Sequence, residues 1–155
     1  MLIRPYHHSD AEALSAPYAR AVSQTGPRAY SPDQVAAWLS LTPDAARIGA
    51  MMAGRWCFVA TTDTPAGFID LESDGHIDML YVAPEATSMG VGWHLYQHAE
   101  AFAREQGLTR LYTEASEIAR PFFERQGFRV LHRRDLNLSG VAIHNYAMEK
   151  LLGTD

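Results

Sequence analysis

Two glycines, Gly90 and Gly92, stand where a short apolar run gives way to a stretch with helical periodicity. The run 76–82 is rich in β-branched and aromatic residues and is closed by Pro84, which predicts a buried strand. From Val91 the apolar positions recur at steps of four, four and three, which is one face of a helix. The first N–H groups of a helix lack internal partners and carry partial positive charge, and glycines let an anion approach them closely. The sequence therefore predicts a phosphate or pyrophosphate site at this loop.

The loop differs from two well-known phosphate-binding motifs. It lacks the Gly-Lys-Ser/Thr of the nucleoside-triphosphate P-loop, and no GxGxxG follows a strand. Residues 87–92, Thr-Ser-Met-Gly-Val-Gly, instead resemble the acetyl-CoA loop of the GNAT superfamily of N-acetyltransferases, Q/R-x-x-G-x-G/A. Thr87 stands where Gln or Arg is usual, which changes one side-chain contact to the cofactor and leaves the backbone contacts unaffected. Taken alone, Gly-x-Gly is equally typical of an ordinary turn.

A second segment resembles the closing motif of the same family. Residues 113–128 read TEASEIARPFFERQGF, to be compared with the family pattern N-x-x-A-x-x-F-Y-E-K-x-G-F. Ser116 takes the place of the Asn and Phe123 that of the Tyr. The positions in register are Ala119, Phe122, Glu124, Arg125, Gly127 and Phe128. Two motifs at the family's separation make chance a poor explanation, and the resemblance extends from about Ile3 to Lys150.

The resemblance implies one GNAT-like domain over residues 1–155 with an α/β fold. The expected sheet is mixed and mostly antiparallel, with about seven strands and helices on both faces. It should be splayed between strand 76–82 and strand 108–115, where the pantetheine arm of acetyl-CoA enters. The implied activity is direct transfer of an acetyl group from acetyl-CoA to a primary amine. The resemblance places these residues at the cofactor: Leu80, Tyr81, Val82, Thr87, Ser88, Met89, Gly90, Val91, Gly92, Trp93, Ser116, Phe122, Phe123 and Arg125.

Three side chains beside the expected gap are candidates for the base that deprotonates the amine: Asp78, Glu114 and His76. An alkyl ammonium has a pKa near ~10, so nearly all of it arrives protonated. Burial beside the cofactor arm should raise the pKa of a carboxyl group toward neutrality, which predicts an inflection in kcat/KM between roughly pH 6 and 8.5. His76 also fits a cross-strand surface pair. Other acids at strand ends, such as Asp70 and Glu72, are expected to be solvated.

Aromatic residues bear on the leaving group and on the acceptor. Many relatives carry a Tyr that protonates the leaving thiolate, which Phe123 cannot do, and Tyr81 or Tyr146 are the phenols that could replace it. The family builds its acceptor pocket from the first helices and the last hairpin. Tyr30, Trp38 and Tyr146 are therefore candidate pocket walls, with an ordinary aromatic core as the alternative. The sequence leaves open whether the acceptor is a small-molecule or a peptide amine.

A non-catalytic acyl-CoA-binding sensor or interaction protein on the same scaffold is the main alternative function. Thr87 and Phe123, which depart from the family pattern, are the residues that favour it. His94 and His98 lie at the i, i+4 spacing that metal sites use, but Leu95 stands where the zinc-protease pattern requires Glu. No metal site is predicted.

Composition is that of an ordinary globular protein and excludes several function classes. Of 155 residues 47% are hydrophobic and 20% charged, and the net charge of −5 argues against nucleic-acid binding. No apolar run reaches the roughly 18 residues needed to cross a membrane, and no signal-peptide pattern opens the chain. The single cysteine, Cys57, lies in an apolar run, which predicts a buried strand residue and suits a reducing cytoplasm. A homodimer is compatible with these features.

Turn and cap residues divide the chain into the elements that must position these groups. Helices are predicted over 11–24, 32–42, 44–52, 91–106 and 117–126, and strands over 2–6, 55–62, 66–71, 75–82, 108–115, 128–138 and 141–150. In strand 75–82 the apolar residues Ile77 and Leu80 are three apart. That step breaks strict alternation and predicts a β-bulge near Met79.

Overall fold

A computed structural model describes residues 1–153 as eight β-strands and five α-helices. The strands are β1 (Leu2–Pro5), β2 (Trp56–Thr61), β3 (Pro65–Leu71), β4 (His76–Ile77), β5 (Leu80–Val82), β6 (Arg110–Ala115), β7 (Arg129–Leu138) and β8 (Val141–Leu151). The helices are α1 (Ala11–Thr25), α2 (Pro32–Leu39), α3 (Ala45–Met52), α4 (Val91–Glu105) and α5 (Arg120–Arg125).

The strands form two four-stranded half-sheets. One has the order β1-β2-β3-β5 and is antiparallel throughout. The other has the order β4-β6-β8-β7, in which β4 runs parallel to β6 and the remaining pairs are antiparallel. Strands β4 and β5 are the two halves of the strand predicted over 75–82, so the eight segments correspond to the seven predicted strands. The predicted mixed, mostly antiparallel α/β sheet is confirmed.

Helices cover both faces of the sheet, and each face has its own hydrophobic core. On one face α4 and α5 bury Leu95, Tyr96 and Phe123. On the other face α1, α2 and α3 bury a second group of apolar side chains that includes Leu14 and Ile48. Removal of apolar surface from water on both faces is the main stabilising contribution.

Helix α2 begins at Pro32, as predicted, and its start is fixed by its cap residues. Ser31 Oγ accepts a hydrogen bond from the Gln34 N–H at 3.2 Å, and Gln34 Oε1 accepts one from the Ser31 N–H at 2.9 Å. These reciprocal bonds satisfy donors that a helix start leaves without partners. Gln34 also donates its side-chain N–H to the Ala142 carbonyl oxygen at 2.9 Å, which ties α2 to β8.

Helix α5 is shorter than predicted, because the residues before it form a turn. Ser116 Oγ accepts a hydrogen bond from the Ala119 N–H at 3.1 Å, and Pro121 occupies the first helical turn. The helix therefore begins at Arg120 rather than at Glu117. On β2, Cys57 is buried as predicted, and burial raises the pKa of its thiol.

Tyr30, which precedes α2, joins two segments far apart in the sequence. Its ring is 5% exposed, and its hydroxyl donates to the His144 carbonyl oxygen at 2.9 Å. The same hydroxyl accepts a hydrogen bond from the Glu117 N–H at 2.8 Å. One phenol thus fixes the loop after β6 against strand β8.

We expect Tyr30→Phe to destabilise the protein by about 1–3 kcal/mol, because it leaves a backbone N–H and a carbonyl without their partner. Urea unfolding at neutral pH measures the loss. The matched control is Tyr112→Phe, which removes a hydroxyl bonded to the exposed Asp74, and it should cost less than about 0.5 kcal/mol. Equal effects of the two substitutions would contradict the role given to Tyr30.

Candidate active site

The two half-sheets are joined where the chain passes from β4 to β5. Strand β5 pairs with β3, whereas β4 pairs with β6, with Ile77 opposite Thr113. The chain crosses between the half-sheets at Asp78 and Met79, where the sequence predicts a bulge. Beyond this crossing β5 and β6 diverge, so the predicted splay is present.

A cavity of about 720 Å³ lies in the gap between β5 and β6. Its wall includes parts of α1, α2, α5, the start of α4 and the β7–β8 hairpin. Ten residues predicted at the cofactor line it: Leu80, Tyr81, Val82, Thr87, Gly90, Gly92, Trp93, Ser116, Phe122 and Phe123. Both candidate carboxylates and two of the acceptor-wall aromatics line it too: Asp78, Glu114, Tyr30 and Trp38.

The remaining residues predicted at the cofactor are not on the cavity wall. Ser88 and Met89 are exposed in the 3-10 turn that precedes α4. Val91 is fully buried in the core beneath that helix. Arg125 is exposed in the last turn of α5. Arg125 matches the closing motif but does not line the cavity, and its contact with the cofactor stays a prediction.

The start of α4 has the features of an anion site. Gly90 has φ = 70°, a left-handed conformation that glycine adopts readily and that costs most other residues energy. The first intrahelical bond runs from the His94 N–H to the Gly90 carbonyl, so the three amides before it point out of the helix end. The first turn carries no acidic side chain. The Thr87 hydroxyl donates to the Pro84 carbonyl at 2.8 Å and so serves the turn.

His76 and Glu114 form an ion pair at the edge of the cavity. His76 Nε2 lies 2.9 Å from Glu114 Oε1, and Nδ1 lies 3.2 Å from Glu72 Oε1. The hydrogen bond to Glu114, opposed by burial and assisted by Glu72, raises the pKa of His76 to about 9. The same bond from His76 lowers the pKa of Glu114, although burial opposes it. The expected rise in the pKa of Glu114 is therefore not found, and His76 is protonated at neutral pH.

Asp78 presents its carboxylate at the same edge. Its Oδ2 lies 2.8 Å from Arg55 Nη1, and its side chain is 35% exposed to solvent. Arg55 also contacts Glu72 at 3.2 Å, so a continuous set of alternating charges runs from Asp78 through Arg55, Glu72 and His76 to Glu114.

Several cavity residues on the terminal hairpin are not predicted from the sequence. Arg134, Leu136 and Leu138 lie two apart on β7, so their side chains share one face of the strand and reach the cavity. Arg134 Nη1 is 4.0 Å from Glu114 Oε1. The alternation along β7 could have suggested one shared face, but only the fold shows that this face lines the cavity.

Tyr146 lies beside the cavity and does not form part of its wall. The Arg120 guanidinium stacks over its ring at 4.6 Å, and a hydrogen bond with Glu117 raises the pKa of its phenol. Glu117 also contacts His144 Nε2 at 2.8 Å. Of the two phenols predicted to protonate the leaving thiolate, Tyr81 therefore lines the cavity and Tyr146 does not.

Comparison with known protein sequences identifies a family and similar proteins. A model described as the acetyltransferase (GNAT) domain matches residues 27–150. The chain is 35% identical over 147 residues to the uncharacterized N-acetyltransferase YafP of Escherichia coli K12, covering 94% of this chain and 93% of the relative. It is 32% identical over 136 residues to the E. coli peptidyl-lysine N-acetyltransferase YjaB, covering 87% and 86%.

Comparison with solved structures agrees with this result. A GCN5-related N-acetyltransferase from Rhodopseudomonas palustris superposes with a TM-score of 0.90 at 33% identity, covering 97% of this chain and 95% of the other. The PaiA N-acetyltransferase of Thermoplasma acidophilum, solved with coenzyme A, has a TM-score of 0.77 at 21% identity, covering 97% and 98%. At 21% identity, the likeness to this second structure shows a shared fold and nothing more.

Within residues 1–153, none of the helices is both long and apolar enough to span a bilayer.

We expect His76→Gln to destabilise the protein in a pH-dependent way. The raised pKa of His76 means that its contribution is complete below about pH 6.5 and is lost as the pH rises through about 9. The lowered pKa of Glu114 means that its contribution is present above about pH 4.5 and is lost in acid. The loss should therefore be largest between about pH 5 and 6.5, roughly 1–2 kcal/mol after allowance for solvent screening, and should shrink toward pH 9.5.

Chemical unfolding of the wild type and the variant across this pH range measures the difference. His132→Gln, on an exposed position of β7, is the control and should change stability by less than about 0.5 kcal/mol. A loss from His76→Gln that is constant from pH 5 to 9.5 would contradict the ion pair.

Proposed function

The chain belongs to the GNAT family of acetyltransferases, and we propose that it transfers an acetyl group from acetyl-CoA to a primary amine bound between β5 and β6. It is an acyl-CoA-dependent N-acyltransferase, and acetyl-CoA is its co-substrate. One observation carries the assignment of the site. The start of α4, the divided strand and two carboxylates all border a single cavity. This arrangement does not favour a sensor that only binds acyl-CoA, since binding alone would not require carboxylates at the gap.

The cofactor would lie with its pyrophosphate at the start of α4 and its arm along β5. The amides of Val91, Gly92 and Trp93 would donate to the phosphates, assisted by the partial positive charge of the helix end. A Cβ on Gly92 would meet Val82 and Phe122 only at 3.6–3.8 Å. Crowding within the protein therefore does not require a glycine there, which supports close approach of the cofactor as the reason for it.

The acetyl group would be activated by the backbone of β5. An N–H from the Leu80–Val82 segment donating to the thioester oxygen would stabilise the charge that develops as the amine attacks. The thiolate of CoA then leaves. Phe123 is buried and has no proton to give, whereas Tyr81 lines the cavity and burial raises the pKa of its phenol. We assign to Tyr81 the role of donating its phenol proton to the leaving thiolate.

The proton of the incoming ammonium would pass to a carboxylate at the cavity edge. Asp78 and Glu114 both border the gap. Protonated His76 holds Glu114 in its ionised form, so Glu114 would bind the ammonium and Asp78 would accept the proton, directly or through water. This division follows from the lowered pKa of Glu114, which makes it a weak base.

The acceptor would be an amine on an apolar chain. The part of the cavity wall contributed by α2, the turn after it and the β7–β8 hairpin includes five apolar side chains, Trp38, Leu41, Leu136, Leu138 and Ile143, beside the polar Arg134, His144 and Asn145. Such a wall favours an aliphatic or aromatic body behind the ammonium group. The lysine side chain, the target named for the relative YjaB, has a four-carbon stem of this kind.

Thiol release from acetyl-CoA tests the function directly. The acceptors are hexylamine, phenethylamine, ethanolamine and a lysine peptide with apolar flanking residues, each at equal concentration. We expect release only with an amine present, and kcat/KM at least about tenfold higher for the apolar amines than for ethanolamine. Binding of CoA without release for any amine would support the sensor instead.

We expect Gly90→Val to weaken CoA binding by at least about tenfold, or 1.4 kcal/mol. Valine at φ = 70° is strained, so the turn must shift and carry the α4 amides away from the phosphates. Calorimetry with CoA measures the affinity, and circular dichroism verifies the fold. Gly107→Val is the matched control, because Gly107 has φ = 79° just beyond the opposite end of α4 and does not line the cavity, so this substitution should leave the affinity unchanged.

We expect Asp78→Asn to lower kcat by about 10²-fold with CoA affinity retained, because the amide cannot take the proton. Glu114→Gln should mainly raise KM for the amine, because it removes the charge that binds the ammonium. Glu72→Gln is the control, since Glu72 contacts Arg55 and His76 but is not on the cavity wall, and it should stay within about threefold. An unchanged rate for both Asp78→Asn and Glu114→Gln would leave proton loss to solvent as the mechanism.

A further inference from the structure

Asp70, on β3, has a fully buried carboxylate at the crossing between the half-sheets. It is 0% exposed, and its Oδ1 accepts hydrogen bonds from the Asp78 N–H at 2.9 Å and the Met79 N–H at 2.7 Å. Its own N–H donates to the Met79 carbonyl at 3.1 Å. A side chain of β3 therefore holds both residues at which the chain leaves one half-sheet for the other.

These bonds replace a ladder that the crossing interrupts. Strands β3 and β5 pair in register from Gly67 to Ile69, and β4 then pairs with β6 instead. The amides of Asp78 and Met79 lie between the two ladders. Buried backbone donors need an acceptor, and the Asp70 carboxylate supplies one for both.

The second carboxylate oxygen of Asp70 binds Arg55, which also binds the carboxylate of Asp78 on the cavity wall. Asp70 Oδ2 lies 2.6 Å from Arg55 Nη1, and the same nitrogen lies 2.8 Å from Asp78 Oδ2. Burial raises the pKa of Asp70, while the Met79 N–H and Arg55 act against that rise. Asp70 thus holds the Arg55 guanidinium in place, and Arg55 in turn orients the Asp78 carboxylate.

We infer that Asp70 is a positioning residue for acetyl transfer: its carboxylate oxygen holds the division between β4 and β5. The division leaves one edge of β5 paired with β3 and turns the other edge, with the Leu80 and Val82 amides, to the gap, and it places Asp78 at the edge of that gap. This role rests on the proposed function, but it concerns a residue that does not itself line the cavity.

The test separates the oxygen of Asp70 from its charge. Two double variants remove both charges of the pair, Asp70→Asn/Arg55→Gln and Asp70→Leu/Arg55→Gln. Asn and Leu have similar shapes, but only Asn keeps an oxygen that can accept the two amide bonds. The readouts are kcat by thiol release, the Kd for CoA by calorimetry, and the amide proton shifts of Asp78 and Met79 by NMR.

We expect the Asn double variant to keep both amide shifts within about 0.3 ppm of the wild type. In the Leu double variant both amide protons should move upfield by about 1 ppm, and kcat should be at least about tenfold below that of the Asn variant with Kd within threefold. The split between kcat and Kd is the sign of positioning, since general loss of structure would weaken CoA binding as well.

If the Leu double variant does not fold, Asp70→Ser/Arg55→Gln replaces it, because a serine hydroxyl is too short to reach both amides. Equal kcat and equal amide shifts in the Asn variant and the variant without the acceptor would overturn the inference. An enzyme that releases no thiol with any amine contradicts the proposed function alone. The inference is then judged by whether acetyl-CoA shifts the Leu80–Val82 amides equally in the two double variants, and equal shifts would overturn it.

Discussion

A backbone N–H that is taken out of water must have an acceptor, and this requirement governs how a β-sheet can be opened. Here the sheet divides where Asp78 and Met79 lie between two ladders, and the Asp70 carboxylate accepts both of their amides. The gap, the cavity and the exposed edge of β5 all depend on that replacement. A sheet that continued without interruption across β5 and β6 would leave no room for a cofactor arm.

The local parts of this arrangement could be predicted from sequence, because neighbouring residues determine them. The glycine loop with its helix, the Ser31–Gln34 cap and the three-residue step that signals the bulge all follow from short-range patterns. Asp70 was expected to be solvated, and that expectation is wrong. Its role depends on partners eight and nine residues away in sequence and on Arg55, which immediately precedes β2. No pattern in the neighbourhood of residue 70 records those contacts.

The charged neighbours of Asp78 and Glu114 explain why the two carboxylates are given different roles in the proposed reaction. Glu114 is bound by protonated His76, while Asp78 shares Arg55 with Asp70 and Glu72. Sequence placed His76, Asp78 and Glu114 near the gap, but their ion pairs arise only on folding: pairing of β4 with β6 brings His76 to Glu114, and the crossing brings Asp78 to Arg55. The hairpin residues Arg134 and Leu136 likewise reach the cavity through pairing of β7 with β8, which the sequence predicted without showing which face would be buried.

The single thiol of the chain has a practical consequence. Cys57 is 6% exposed on β2, and burial keeps its proton in place by raising its pKa. Thiolate is the form that attacks disulfide reagents, so the folded protein should be silent toward such a reagent. A colorimetric assay of released CoA would then carry almost no background from the enzyme. The same reagent becomes an internal gauge of integrity: a preparation that titrates one equivalent of thiol before substrate is added has unfolded.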